Sequence, residues 1–355
     1  MPSSTNVHLF SKTNEGLSFM NHSSLLKQTG HWLWKSVLAI VVTLAAAFFL
    51  GPVNQFGNNA PADRPAPPAV LSELDLWLQQ SESKFTDIKP GTAKGIVWAS
   101  DKKESTEWAV VYLHGFSASR LETSPVAEQV AKQLGANLFY SRLTGHGRAG
   151  AAMGEATPQD WLADTQEAIQ IGRALGKRVL VISCSTGSTL STWWGTSPQA
   201  SQIQAHVFIS PNFGLKDKRS ELINGHWGQR IAYAVTGDTI NYQSEDPREG
   251  QAWTQSYPTK ALFPMMALVK QVRESDLSQF KAPVLVLFSE QDQTVDPAEI
   301  KTAFNRFGSN LKSLESVGYS HSKGQHVLAG EIRDPQAVEP MVQSIVRWTT
   351  ALPQP

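Results

Sequence analysis

Ser183-Cys184-Ser185-Thr186-Gly187 follows directly on the apolar run 179–182 and leads into the small-residue run Ser188-Thr189-Leu190-Ser191-Thr192. A short, wholly apolar run reads as a strand buried on both faces, and a sharp turn after it holds one side chain clear of the sheet at a helix N-terminus. That side chain is Ser185. A serine hydroxyl is a weak nucleophile until a base takes its proton, so the pattern carries chemistry only if an acid and a histidine come later in the chain. Both do.

In open parallel sheets, ligands collect at the carboxyl ends of the strands, so the residues just past each apolar run are the ones to inspect. Past 284–288 comes Ser289-Glu290-Gln291-Asp292-Gln293-Thr294-Val295-Asp296-Pro297. Asp296 stands before a proline and three residues before Glu299, which marks it as a helix cap. Asp292 is left to orient a histidine, with Asp296 the alternative and Glu290 a weaker third. A carboxylate in that role fixes the imidazole tautomer and stabilises the imidazolium that forms as the serine proton leaves. Two histidines follow in one loop, Tyr319-Ser320-His321-Ser322-Lys323-Gly324-Gln325-His326-Val327. His326 closes the loop where Val327 and Leu328 begin an apolar stretch that can anchor it, and the need for a rigid base favours it over His321, the alternative.

A tetrahedral intermediate also needs preorganised N–H donors, one from the residue after the nucleophile and one from an earlier strand end. Thr186 supplies the first. Leu113-His114-Gly115-Phe116, a strand end running into a glycine turn, offers the Phe116 N–H as the second. Such a set calls for no metal and no cofactor. The lone cysteine, Cys184, cannot form an internal disulfide and sits in no zinc-ligand spacing, so it is expected to pack inside the elbow.

The elements that must carry these residues show as an alternation. Apolar runs at 109–113, 137–140, 179–182, 207–209 and 284–288 alternate with helical patterns, and 311–317 alternates in polarity as a last, half-exposed strand. That rhythm predicts an α/β fold with a mostly parallel sheet and helices on both faces. A helix start is marked at Thr157-Pro158-Gln159-Asp160 by a hydroxyl cap, a first-turn proline and an acid at the third position, with Trp161, Ile169 and Ile171 facing the core. From about 214 to 276 the rhythm breaks. Trp227, Tyr233, Tyr242, Trp253, Tyr257, Phe263, Met265 and Met266 are scattered there among polar residues, as in a lid insertion whose aromatics pack together or wall an acyl chain.

At 355 residues with 41% apolar content the chain can bury a large core. Lys plus Arg equals Asp plus Glu at 31 each, which removes the global field that would draw the protein to nucleic acid or to acidic lipid. Residues 32–50 carry one charge, Lys35, and are long enough to cross a bilayer. Lys12, Lys27 and Lys35 against Glu15 make the N-terminal flank positive, while Asp63 and Arg64 cancel beyond it. Residues 1–31 are therefore expected as a cytoplasmic tail and 32–50 as a transmembrane signal anchor with Trp32 and Trp34 at the interface. The remainder then lies on the exported side, periplasmic or extracellular. Two other readings stand: a signal peptide cleaved near Ala45-Ala46-Ala47, leaving a secreted chain, and a helix buried in a soluble core. The Pro/Ala-rich stretch 51–70 reads as a semi-extended linker, with the folded domain at 71–355.

Taken together these residues resemble the serine α/β-hydrolases, specifically the carboxylesterase and monoacylglycerol lipase group. The resemblance runs from about Leu71 to the C-terminus. It is carried by Leu113-His114-Gly115-Phe116, Arg142-Leu143-Thr144-Gly145-His146-Gly147, Asp160-Trp161 with Asp164, the elbow, Asp292 with Val295, and His326-Val327. It implies the α/β-hydrolase fold, a triad of Ser185, Asp292 and His326, an oxyanion hole from Phe116 and Thr186, and an acyl pocket under the lid. One position departs, because the family's pentapeptide opens on glycine where this chain has Ser183, and altered packing at the elbow is expected. His146 is expected to hold its loop rather than to act as base.

The expected function is hydrolysis of carboxylic esters through an acyl-serine intermediate, on a small-molecule ester or lipid, with the membrane engaged through the N-terminal helix. The same apparatus serves thioesters and amides, so thioesterase, amidase or peptidase chemistry is the alternative among enzymes. A catalytically silent fold used for binding is the alternative outside them.

Overall fold

The computed structural model describes residues 22–244 and 246–353, which divide into two compact units, one ending at Gly51 and one beginning at Pro52. The first unit is the helix α1, His22–Phe49. Of the tail expected over 1–31, residues 1–21 lie outside the described residues. The helix runs on without a break through the expected boundary at 31, and its stretch His31–Phe49 is apolar and long enough to cross a membrane. The side chains of that stretch are exposed, which sets aside the reading as a buried core helix.

The second unit is an α/β domain. Its strands are β1 Gly95–Val97, β2 Thr106–Leu113, β3 Asn137–Tyr140, β4 Gly176–Cys184, β5 Ala205–Ile209, β6 Thr239–Asn241, β7 Ser256–Pro258, β8 Val284–Phe288 and β9 Lys312–Ser316. Seven of these form one sheet in the order β1-β3-β2-β4-β5-β8-β9, parallel except for β1, and β6 pairs with β7 as a small antiparallel ribbon. The helices are α2 Leu71–Glu82, α3 Val126–Leu134, α4 Pro158–Leu175, α5 Thr186–Gly195, α6 Gly228–Thr236, α7 Glu249–Ala252, α8 Leu262–Glu274, α9 Pro297–Arg306 and α10 Val338–Thr350.

Alternation of side chains along each strand divides the core into two layers. Ala109, Val111 and Leu113 of β2 join Val179 and Val181 of β4 against α4, α5 and α8. Val110 and Tyr112 join Leu180 and Ile182 on the other face, against α3 and α10. Both faces are covered, so the central strands read in sequence as unbroken apolar runs. From β2 the chain first moves outward to β3 and then returns past β2 to β4, so the strand order reverses between β2 and β4. A crevice at the carboxyl ends of the strands belongs at such a reversal. Gly115 and Ser185 follow those two strands.

The helix start read at Thr157 is as expected. Thr157 and Asp160 form a reciprocal capping box, Pro158 opens α4, and Trp161, Ile169 and Ile171 are fully buried. The stretch 214–276 is only in part a lid. Its last helix, α8, buries Met265, Met266, Leu268, Val269 and Val272 in the main core beside α5, so it belongs to the body. The insertion proper is α6, the β6–β7 ribbon and α7.

The segment expected as a semi-extended linker over 51–70 departs from that reading, because it is strapped along the domain. Phe56 enters the core. The Asn54 amide donates to Asn224 Oδ1 at 3.0 Å and to the Phe263 carbonyl at 2.8 Å, and Gln159 Nε2 donates to the Phe56 and Asn58 carbonyls, each at 2.8 Å. Arg64 bridges Asp164 and Asp160, the latter at 2.8 Å, and also reaches Thr144 Oγ1 at 3.0 Å. The Pro/Ala composition hid this because a handful of polar side chains, spaced between the prolines, make the attachments.

Asp164 is buried, and burial raises its pKa while Arg64 opposes the rise. Removing the partner of a buried charge costs about 3–5 kcal/mol. The chain begun at residue 52 is therefore expected to melt as a stable unit. The chain begun at residue 70, or the Arg64→Ala variant, is expected to melt about 5–10 °C lower in a thermal scan. Equal melting temperatures would show that the strap is not part of the fold.

Candidate active site

Ser185 is the residue between β4 and α5, and it has φ 50° and ψ −117°, a positive φ that non-glycine residues rarely adopt. Its own N–H donates to the Ile209 carbonyl at 3.0 Å, and its carbonyl accepts from the Asn212 N–H at 3.1 Å. These bonds hold the turn in a conformation that costs about 1–3 kcal/mol when left unsupported. Ser183, where glycine was expected, is accommodated by hydrogen bonding. Its hydroxyl lies 3.0 Å from the Ser188 hydroxyl, which also sits 3.0 Å from the Ser183 carbonyl. Cys184 is buried, in line with the packing role read from the sequence.

Asp292 is 1% exposed. Its Oδ1 accepts the Thr294 and Val295 N–H groups at 2.7 and 2.9 Å, and its Oδ2 lies 2.8 Å from His326 Nδ1. The backbone donors occupy one oxygen and leave the other for the imidazole. With Nδ1 donating to Asp292, the Nε2 lone pair of His326 is left available. Asp296 caps α9 by accepting the Ala298 N–H at 2.9 Å and pairs with Lys218 at 2.9 Å, and Glu290 pairs with Lys301 at 2.6 Å near the surface. Among the described residues, neither acid pairs with a histidine. The His321 side chain is 82% exposed, and its backbone N–H donates to Asp334 at 2.6 Å. His321 Nδ1 also stands 4.0 Å from the buried Asp334, beyond hydrogen-bond reach, whereas His326 bonds its acid at 2.8 Å and lines the cavity with Ser185.

Ser185, Thr186, Phe116 and His326 line one cavity of about 860 Å³. Leu215, Leu262, Met265 and Val327 supply apolar wall, and Trp253 and Tyr257 come from the insertion. At another part of the lining, Arg333 pairs with Glu249 at 2.8 Å, Tyr242 donates to Glu249 at 2.9 Å, and the guanidinium lies 4.7 Å from the Trp253 ring centroid. Thr186 opens α5, so its N–H belongs to the unpaired first turn of a helix. The Phe116 ring packs edge-on against His146, Trp161 and Tyr257, with centroids 5.8, 6.2 and 5.5 Å away. His146 stands behind Phe116, is buried, and is held by the Thr144 carbonyl at 3.1 Å, as expected of a loop-holding residue. His114 lies beside it, and burial pushes its pKa down to about 4.

Glu122, Arg333 and Glu249, all on the cavity lining, escaped the sequence reading. Glu122 is 2% exposed and lines the same cavity, and burial pushes its pKa up to about 7. It lies in the polar loop Ser117-Ala118-Ser119-Arg120-Leu121-Glu122, where composition reads as solvent-facing turn. Only the fold shows that the loop turns inward there. Arg333 and Glu249 were missed for the same reason.

Known proteins carry the same architecture. The model of the family described as serine aminopeptidase, S33, matches residues 104–322. A thermostable monoacylglycerol lipase of Bacillus sp. (strain H-257) is 24% identical over 230 residues, 65% of this chain and 87% of that protein. A structure of the metagenome-derived lipolytic enzymes LipS and LipT aligns with a TM-score of 0.58 at 20% identity, covering 74% of this chain and 99% of that one. A soluble variant of monoglyceride lipase from Saccharomyces cerevisiae aligns with a TM-score of 0.54 at 12% identity, covering 72% and 90%. At such identities the structural likeness speaks for the fold. The family match spans well over half of the chain and takes in Gly115, the Ser185 turn and Asp292, so the chain, with its α/β-hydrolase fold, belongs to the serine aminopeptidase, S33, family.

Proposed function

We propose that the chain is a serine hydrolase of carboxylic esters that works through an acyl-Ser185 intermediate. The observation that carries the proposal is the 2.8 Å bond between His326 and the buried Asp292, on the wall of the cavity that Ser185 also lines. Asp292 ties up Nδ1, so Nε2 takes the proton as Ser185 Oγ attacks the ester carbonyl and returns it to the departing alcohol. A water then attacks the acyl-serine by the same route in reverse. The negative oxygen of each tetrahedral intermediate is met by the Phe116 and Thr186 N–H groups, the second strengthened by the start of α5. The positive φ of Ser185 holds its hydroxyl forward of the sheet.

Leu215, Leu262, Met265 and Val327 give an acyl chain apolar surface near the nucleophile, which favours esters of apolar acids over peptides. The Bacillus relative is by name a monoacylglycerol lipase, and monoacyl glycerol esters are the first substrates to assay. The domain is held to a membrane by α1 as an uncleaved anchor with its N-terminus inside. Support comes from the apolar length of His31–Phe49 and the positive flank before it.

Ser185→Ala is expected to lower ester turnover by about 10⁴-fold or more while the protein stays folded, and to abolish labelling by a fluorophosphonate probe. Turnover within tenfold of wild type, or labelling that survives the substitution, would move the nucleophile elsewhere. His326→Ala is expected to fall by a similar factor and His321→Ala by less than about threefold, with Asp292→Asn far below Asp296→Asn in kcat. An inactive His321→Ala beside an active His326→Ala would reverse the assignment of the base. Fractionation of cells making the full chain is expected to leave it in membranes at full length. A shortened, soluble product would mean cleavage instead.

A further inference from the structure

Glu122 is a second buried carboxyl of the cavity, and the proposed triad makes no use of it. Its Oε1 accepts the Gly115 N–H at 2.7 Å and the Tyr112 hydroxyl at 3.0 Å, and Tyr112 is itself held by the Thr123 hydroxyl, which donates to it at 2.7 Å. The Cys184 thiol is a further partner of the carboxyl. Gly115 lies between Glu122 and the nucleophile. A Cβ built there would stand 3.1 Å from Glu122 Oε2 and 3.2 Å from Ser185 Cβ. Oε2 and Ser185 Cβ therefore border the same space beside Gly115, in the turn that carries Phe116.

An amide side chain would accept the Gly115 N–H without burying an ionisable group, since an uncharged acceptor escapes the desolvation cost. A carboxyl in that place needs a reason. Resting on the ester-hydrolase reading above, we propose that Glu122 is a positioning residue of the acyl-oxygen pocket. It pins the Gly115–Phe116 turn through the Gly115 N–H, and it must be neutral for turnover, because a carboxylate across Gly115 from Ser185 opposes the charge of the oxyanion.

Burial holds its pKa near 7, so the required form is lost just above neutrality. The titratable groups facing it are Tyr112 from β2, Cys184 from the end of β4 and His326 from the loop after β9. Burial raises the pKa of Tyr112 and Cys184 well above their ordinary values, so both stay neutral while Glu122 titrates. His326 gains positive charge next to it during the reaction and pulls Glu122 toward its carboxylate, so it is burial, the larger effect, that keeps Glu122 neutral against that pull. The sign of the effect follows. Protonated Glu122 is present below pH 7, and each further pH unit removes about tenfold of it.

The test uses the full chain, with kcat and KM for p-nitrophenyl butyrate and the rate of fluorophosphonate labelling measured from pH 5.5 to 9. Wild type is expected to lose kcat above about pH 7. Glu122→Gln keeps an acceptor for Gly115 and stays neutral, so it should hold kcat within about threefold at pH 6 and lose the alkaline decline. Glu122→Ala should lower kcat about 10- to 100-fold at pH 6 with KM changed less than threefold, because the turn loses its anchor. A Glu122→Gln profile that overlays wild type overturns the proposal even if Glu122→Ala fails to fold. Wild type that labels at Ser185 with no alkaline decline overturns the Glu122 role alone. Wild type that neither labels nor turns over an ester overturns the hydrolase reading, and this inference with it.

Discussion

A Cβ on Gly187 would lie 2.2 Å from the carbonyl oxygen of Leu113 and 2.7 Å from that of His114, so α5 begins in direct contact with the end of β2. Only glycine permits that approach. β2 and β4 are neighbours with Leu113 opposite Ser183, and the chain leaving β4 must fold back over its neighbour within a few residues. Ser185 takes up the sharp part of that turn, which is why it holds a positive φ. The strain is sustained because β4 is paired on both sides and the turn's backbone bonds are made. The Ser185 turn and the Gly115–Phe116 turn are consequently one packed unit, and neither can shift without the other.

That unit is braced from behind by the loop 142–147. His114 bonds the Gly115 carbonyl through Nδ1 at 2.9 Å and accepts the Leu143 N–H through Nε2 at 3.0 Å. A second proton would break the Leu143 bond, and burial keeps the ring neutral. Arg142 is itself buried and grips Glu82 through two bonds of 2.8 and 2.7 Å, while its other nitrogen reaches the His146 carbonyl at 3.2 Å. Trp161 donates to the Thr144 carbonyl at 3.0 Å and packs edge-on against Phe116. The histidine-glycine motif of this loop thus contributes stiffness to the Phe116 turn.

The sheet strands were legible in the sequence because both faces of each central strand are buried, leaving uninterrupted apolar runs that polar residues bracket. The Asp296 cap was legible because a helix cap leaves a local signature, whereas an imidazole partner leaves none, so Asp292 could be reached only by elimination. His326 was favoured over His321 by the apolar residues after it, and Val327 and Leu328 are indeed buried. Other features were hidden. Glu122 looks like any loop acid until the fold turns it inward. α8 reads as lid because its buried face contacts α5, which is distant in sequence. The 52–70 strap reads as spacer because its few anchoring side chains, Asn54, Phe56 and Arg64, are too sparse to form a period.

The strap also bears on what the family pattern covers. The bracing of Phe116 runs through Thr144, whose N–H donates to Asp164 at 2.6 Å, and Asp164 is a buried charge whose cationic partner is Arg64. Arg64 precedes the matched stretch 104–322, so the support of the site reaches beyond the residues that identify the family. A carboxylate left there without its partner would have to take up a proton or open the packing around it, and either change weakens its bond to Thr144. Drawing 52–70 away from the domain would also strip Asn54 from Asn224 and Phe56 from the core. The segment that joins α1 to the catalytic domain is therefore better described as part of the domain's frame than as an extensible tether, because lengthening it would unfasten the loop on which the Phe116 turn rests.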